Sequence, residues 1–266
     1  MLTDSRDKNY AFNMIDCPGH PNFSDEVTAS LRLADNVLLV VDVLEGMTTY
    51  LNQLIHMALK NGSKIILVIN KLDRLVLELK LPPNDAYHKI KHTLDEVNMA
   101  VQAFKTINPN ISDQDYFSPL HGNVIFASTL FHTIFSLESF ANVYHQRQLK
   151  ANKAQFKSQH KHGNTCRTQS KQLDPSKFAK FLWGNIFYNI ETRKFQKEKT
   201  SDETPRSFVH FILEPFYKII SLTLTKDKSE MMRIIKDELN GADVKAKDLE
   251  INVRPLLKLV MRNTFG

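Results

Sequence analysis

Four short apolar runs, separated by helical patterns, constrain the fold more than any other feature of the chain. Each run is apolar at consecutive positions rather than at alternate ones, which is typical of strands buried on both faces of a parallel sheet. The helical patterns between the runs predict crossover connections, and hence an α/β fold with an open, doubly wound, mostly parallel sheet. The runs are Tyr10 to Ile15, Val37 to Val41, Ile65 to Ile69 and Val124 to Ala127, and the helical patterns cover residues 23–33, 50–60 and 84–104.

The sequence pattern divides the chain into three parts. Residues 1–145 carry the strands of the α/β core, residues 146–175 form a basic low-complexity insertion, and residues 176–266 form a smaller α+β sub-domain. In the last part, "NIFYNIETRKFQ" is typical of a hairpin with its turn near Ile190 to Thr192. Helical patterns in the same part cover residues 178–183, 208–222, 231–239 and 253–261.

Most of the excess positive charge lies in one segment. Between Gln146 and Leu173 the sequence has seven basic residues and no acidic one. The formal net charge of the whole chain is +6, so the remainder is close to neutral and basicity is not a property of the fold. Because the segment has few large apolar side chains, we expect a disordered segment or a surface loop. Contact between its basic residues and RNA phosphates is the alternative.

The first apolar run is followed by a cluster of residues suited to a phosphate site. An acid at a strand end, here Asp16, can hold Mg²⁺ through water, and Pro18 stiffens the turn after it. Gly19 lets a backbone N–H approach a terminal phosphate, which would place His20 beside that phosphate. Ligands of doubly wound sheets lie beyond the carboxyl ends of the strands, which is where this cluster falls. A tight turn with an incidental histidine is the alternative.

A second cluster, Asn70-Lys71-Leu72-Asp73, closes the run Ile65 to Ile69. N-K-x-D is the guanine-reading motif of GTPases. The Asp73 carboxylate can accept two hydrogen bonds, from the N1–H and the exocyclic amine of guanine, and adenine does not offer donors in that arrangement. The alkyl stem of Lys71 can cover the base, while Asn70 braces neighbouring loops. The position after a buried strand favours this interpretation over a solvated loop.

A third pair of candidates, Ser128 and Thr129, follows the run Val124 to Ala127. Their backbone N–H groups can meet the guanine O6. A serine after a strand is more often a helix cap, so this interpretation depends on the order of the motifs along the chain.

The order D-x-P-G-H before N-K-x-D resembles that of the translational GTPases, and "IDCPGHPNFSDEVTASLRLAD" is similar to their elongation-factor-2 branch. The stretches "NKLDRLVLELKLPPNDAYHKIKHTLDEVN", "FAKFLWGNIFYNIETRKF", "RSFVHFILEPFYKI" and "INVRPLLKLVMRNTFG" are similar to the elongation-factor-2-like GTPases of the U5 small nuclear ribonucleoprotein. The resemblance implies a P-loop GTPase G domain with an inserted sub-domain, and GTP or GDP with Mg²⁺ as ligands. It also implies a nuclear protein that acts with spliceosomal proteins and the U5 particle in pre-mRNA splicing.

The resemblance also implies a role for each motif residue. Asp16 would order the Mg²⁺ shell, Gly19 would contact the γ-phosphate, and His20 would position the attacking water. Cys17 and Pro18 would line the same turn, and Cys17 stands where the family normally has threonine.

On the base side, residues 70–73 would read guanine, and Ser128 and Thr129 would complete the pocket. Thr129 stands where alanine or glycine is usual in the family. Since it acts through its backbone, the change costs little unless its methyl group crowds the base.

The P-loop pattern G-x-x-x-x-G-K-[ST] is absent from the sequence, which has only eight glycines. We therefore expect a fragment of a larger GTPase that lacks its first strand and P-loop, leaves one flank of the sheet exposed and binds GTP with about millimolar affinity or weaker. Two alternatives stay open. One is a ribosomal translocation factor of the elongation-factor-2 type, and the other is a non-catalytic interaction module that has lost nucleotide binding.

Overall fold

The structure is a computed structural model that describes residues 2–3, 9–109, 116–159, 174–199, 204–221 and 253–265. It confirms an α/β fold with a mostly parallel sheet. In chain order the elements are β1 (Leu2–Thr3), β2 (Asn9–Tyr10), α1 (Ser24–Leu33), β3 (Asn36–Asp42), α2 (Thr49–Lys60), β4 (Lys64–Asn70), α3 (Asp73–Leu77), α4 (Pro83–Ile107), β5 (Val124–Ser128), β6 (Thr133–Phe135), α5 (Leu137–Gln159), α6 (Pro175–Phe181), β7 (Phe187–Asn189), β8 (Lys194–Gln196), α7 (Glu214–Ser221) and α8 (Val253–Phe265).

In the described residues the main sheet has four strands, in the order β3-β4-β5-β6. β3, β4 and β5 are parallel, and β6 is antiparallel to β5. In the β3–β4 register, Asp42 lies opposite Asn70, so both strands end at the same edge. Crossover helices α2 and α4 connect the parallel strands, as the helical patterns predict.

The core lies between one face of this sheet and the helices α2, α4, α7 and α8. Phe126 of β5 is fully buried at its centre, with ring centroids 5.3–5.8 Å from those of Phe135, Trp183 and Phe208. Tyr87 of α4 packs against the same group. One continuous apolar cluster therefore joins residues on both sides of the basic segment.

The opposite face of the sheet is partly exposed. Leu38 and Val40 of β3 and Ile134 of β6 alternate along their strands with residues that face the core, so they point the other way. Within the described part of the chain each of them is more than half exposed.

The prediction of a buried strand from Tyr10 to Ile15 is wrong, because only Tyr10 belongs to a strand and it is exposed. Only β2 is a strand, paired antiparallel with β1, and residues 11–19 have no regular secondary structure. Phe12, Met14 and Ile15 are exposed. An apolar run becomes a strand only where a neighbour pairs with its backbone groups, and among the described residues no strand pairs with this run beyond Tyr10.

The prediction of a loop or disordered segment from residue 146 is wrong for residues 146–159, which belong to α5. Lys, Arg, Gln and Ala are frequent there, and these residues have high helix propensity, which the low apolar content conceals.

Residues 160–173 and the helix predicted at 231–239 lie outside the described residues. The predicted hairpin is confirmed as β7–β8, and the helical pattern of residues 208–222 as a π-helical turn, Val209–Leu213, followed by α7. No helix in the described residues is long and apolar enough to cross a membrane.

Candidate functional site

The N-K-L-D loop lies at the carboxyl edge of the sheet, between the end of β4 and the start of α3. Asn70 Oδ1 accepts hydrogen bonds from the Lys71 N–H at 2.7 Å and from the Thr129 N–H at 3.3 Å. Leu72 N–H donates to the carbonyl of Ala127 at 3.2 Å. Asn70 therefore ties together the two loops that follow β4 and β5.

Asp73 and Ser128 form the buried part of the site. Ser128 Oγ donates to Asp73 Oδ1 at 2.5 Å, and the two residues are 1% and 5% exposed, Ser128 being the more buried. The other oxygen, Asp73 Oδ2, has no hydrogen-bond partner among the described residues. A fixed carboxylate with one unpaired oxygen at a strand edge is an acceptor suited to the N–H donors of a base.

The serine thus acts through its side chain. The sequence interpretation placed the contribution of Ser128 in its backbone N–H, and the hydroxyl bond to Asp73 was missed. The side chain of Thr129 is exposed, and its backbone N–H is the group that joins the site.

Asp42, at the end of β3, is the residue that sequence reasoning missed. Its Oδ2 accepts from Lys71 Nζ at 2.9 Å and from Arg74 NH1 at 2.6 Å. Its Oδ1 accepts from the Leu44 N–H at 2.9 Å. The available signal was its position, because an acid that ends a buried strand next to β4 shares an edge with the N-K-L-D loop.

The ion pairs lower the pKa of Asp42 further below neutral. Its burial raises the pKa of the carboxyl group, but the hydrogen bonds from Lys71 and Leu44 and the positive charges of Lys71 and Arg74 outweigh this effect. The pKa of Asp42 therefore lies below its ordinary value, and the group is a carboxylate at neutral pH.

The residues predicted for the phosphate side lie in an irregular, mostly exposed segment. Asp16, Cys17, Gly19 and His20 are exposed, and Pro18 is partly buried. His20 Nδ1 accepts a hydrogen bond from the Asn22 N–H at 3.2 Å and so caps the short 3-10 turn Pro21–Phe23. Among the described residues, no hydrogen bond, ion pair or ring contact joins residues 16–20 to residues 70–73 or 128–129. The structure thus joins the base-side residues by hydrogen bonds, whereas in the described part of the chain no such bond links them to the phosphate-side residues.

Whether this chain offers ligands for a magnesium ion depends on the segment of residues 16–20. The described residues include no group of three or more His, Cys, Asp and Glu that could hold a metal ion. Mg²⁺ in nucleotide sites is held largely by phosphate oxygens and water, with one or two protein oxygens. A single exposed carboxylate such as Asp16 fits that limited role.

The comparisons with known proteins agree with the motifs. The family of the elongation factor Tu GTP binding domain matches residues 2–252. The chain belongs to this family. It is 40% identical over 268 residues to the pre-mRNA-splicing factor cwf10 of Schizosaccharomyces pombe. It is 38% identical over 266 residues to the 110 kDa U5 small nuclear ribonucleoprotein component CLO of Arabidopsis thaliana. It is 33% identical over 268 residues to the pre-mRNA-splicing factor SNU114 of Saccharomyces cerevisiae.

These matches confirm the resemblance to elongation-factor-2-like GTPases. Each one covers the whole of this chain but only 23–24% of the relative, so the chain spans about a quarter of the length of the curated relatives it matches.

Proposed function

We propose that this chain is the guanine-nucleotide-binding part of a GTPase that acts in the U5 small nuclear ribonucleoprotein during pre-mRNA splicing, in the nucleus. The observation that carries the proposal is the arrangement at the carboxyl edge of the sheet, where Asn70 and Ser128 hold the N-K-L-D loop and its carboxylate in place. The names of the relatives support the splicing part of the proposal.

Guanine recognition follows from the chemistry of Asp73. Ser128 holds one carboxylate oxygen, and the other is available to accept from guanine N1–H and its exocyclic amine. A site built to accept hydrogen bonds discriminates strongly, because a base without those donors leaves Asp73 Oδ2 without a partner. Adenine is such a base, so the site selects GTP and GDP over ATP and ADP.

On the phosphate side, we assign Asp16 to the water shell of Mg²⁺ and Gly19 to a backbone contact with the γ-phosphate. Cys17 and Pro18 shape the turn between them. The ion would neutralise charge on the phosphates, and His20 would orient the water that attacks the γ-phosphate. The exposure of this segment leaves these side chains accessible to a nucleotide.

The proposal is tested with the whole protein that contains this chain. Its dissociation constants for GTP and ATP in Mg²⁺ are measured by isothermal titration calorimetry, with the Asp73→Ala variant as the matched control. We expect GTP to bind at least a hundredfold more tightly than ATP, and Asp73→Ala to remove most of that preference. Equal affinities for the two nucleotides in the unmodified protein would overturn the proposal.

The splicing role is tested separately, by sequencing the RNA recovered with the tagged whole protein. Small nuclear RNA supports the spliceosomal assignment, whereas ribosomal RNA alone would favour the translocation-factor alternative. RNA cross-linked to residues 146–173 would support the contact predicted for the basic segment.

The lack of hydrogen bonds and ion pairs between residues 16–20 and the base-side residues, in the described part of the chain, favours a second candidate function, a nucleotide-independent interaction module. It differs from the first in that it neither binds nor hydrolyses GTP. A whole protein that binds no guanine nucleotide and retains its splicing partners would support the module.

A further inference from the structure

Asp42 lies outside the N-K-L-D loop, yet it anchors that loop from the neighbouring strand. It is the register partner of Asn70, and its Oδ2 accepts from Lys71 Nζ at 2.9 Å. The Asp42 side chain is 10% exposed, whereas that of Lys71 is 45% exposed. The Asp42 carboxylate is therefore the buried partner of this ion pair. The Lys71 side chain is held at its Nζ and is partly exposed along its stem.

The tether fixes a side chain that would otherwise be free to rotate. The backbone of Lys71 is in the left-handed region, with φ +62°, and its N–H donates to Asn70 Oδ1. Its Nζ reaches Asp42, so the four-carbon stem runs along the carboxyl edge from the end of β4 to the end of β3. A lysine side chain loses considerable rotamer entropy when it is ordered, and a residue ordered before binding does not lose it again on binding.

We propose that Asp42 is a positioning residue of the nucleotide site, which holds the Lys71 stem where it covers the purine ring. This inference rests on the proposed function. It predicts that Asp42 and Lys71 contribute to the binding of any purine nucleotide, while Asp73 supplies the preference for guanine.

The ion pair with Arg74 gives Asp42 a second, purely structural role, and the test has to distinguish this role from the positioning of Lys71. Arg74 pairs with Asp42, and its Nε donates to Glu78 Oε1 at 2.7 Å. If Asp42 served only to anchor α3 through Arg74, its loss would destabilise the fold without acting through Lys71. A double-mutant cycle between Asp42 and Lys71 distinguishes the two roles.

The test uses the whole protein and measures the dissociation constants of GDP and of inosine diphosphate, which lacks the exocyclic amine. The variants are Asp42→Asn, Lys71→Met, the double variant, and Glu78→Gln as the matched control on the same ion network. We expect Asp42→Asn to raise both dissociation constants about five- to tenfold and to leave their ratio unchanged. The double variant should bind no more weakly than Lys71→Met, and Glu78→Gln should bind like the unmodified protein.

Additive effects of Asp42→Asn and Lys71→Met would overturn the inference, as would a GDP affinity unchanged by Asp42→Asn. A changed ratio of the two dissociation constants would also overturn it, by placing Asp42 in base recognition. Should Asp42→Asn reduce the folded fraction, Asp42→Glu carries the same test, because it keeps the charge and moves it by one methylene group. Failure of the unmodified protein to bind GDP would overturn the proposed function and this inference together, whereas the outcomes above affect the inference alone.

Discussion

The hydrogen bond between Ser128 and Asp73 gives the sharpest stability prediction. Both residues are buried, and the serine hydroxyl is the partner of Asp73 Oδ1. Ser128→Ala removes this donor and leaves a buried carboxylate oxygen without a partner. A hydrogen bond to a charged group contributes about 1.5–3 kcal/mol, so we expect the free energy of unfolding to fall by about 2 kcal/mol.

The matched control is Thr129→Ala, one residue further along the chain. The Thr129 side chain is exposed, and the contact with Asn70 uses the backbone N–H, which the substitution keeps. The free energy of unfolding should therefore change by less than about 0.5 kcal/mol.

Urea unfolding followed by tryptophan fluorescence measures both variants. Trp183 is the sole tryptophan, and it packs against Phe126 and Phe208 in the core beneath β5. At constant m-value, the shift of the midpoint gives the change in free energy directly. Equal shifts for Ser128→Ala and Thr129→Ala, or a loss below about 0.5 kcal/mol for Ser128→Ala, would refute the reasoning.

Three further predictions concern hydrolysis, the core and pH. His20→Ala in the whole protein should leave the GTP dissociation constant unchanged and slow single-turnover hydrolysis about a hundredfold, whereas an unchanged rate would make His20 only a turn residue. Phe126→Ala should lower the free energy of unfolding by about 3–5 kcal/mol in a urea titration, because the ring is fully buried among three others, and a loss below 1 kcal/mol would contradict that packing. Burial, and then the nearby Asp85, raise the pKa of Tyr217 to about 12, and its hydroxyl donates to the Leu81 carbonyl at 2.7 Å. Its stabilising contribution should therefore be complete below pH 10 and disappear as the pH rises through 12, so the unfolding free energies of the unmodified protein and Tyr217→Phe should converge there; a difference that stays constant with pH would contradict this.

The sequence predicted the central sheet well because its signal is local. The runs behind β3, β4 and β5 are apolar at consecutive positions, and each is bounded by turn residues. The run from Tyr10 to Ile15 carries the same signal, but the described residues supply a partner, β1, only for Tyr10. β6 is only three residues long and antiparallel, too short for any periodicity to show.

The residues of the candidate site that belong to a motif could be predicted from the sequence. The contacts that depend on which strands pair, and in which register, could not. Asn70 and Asp73 follow from the motif and its place after a buried strand. The Ser128 hydroxyl bond and the Asp42 tether depend on which strands are neighbours and on their register, and no local pattern encodes either. The capping role of His20 in the turn could have been inferred from the proline at the next position, which favours a helical start.

A comparison of GTP with xanthosine triphosphate, in the whole protein and in its Asp73→Asn variant, shows whether Asp73 reads the base. Xanthine carries a carbonyl where guanine carries the exocyclic amine, so an asparagine amide at this position matches xanthine and mismatches guanine. Loss of two hydrogen bonds to a carboxylate should weaken GTP binding about a hundredfold or more, while xanthosine triphosphate becomes the preferred nucleotide. A variant that keeps its preference for GTP would show that Asp73 does not read the base, and the central claim would be wrong.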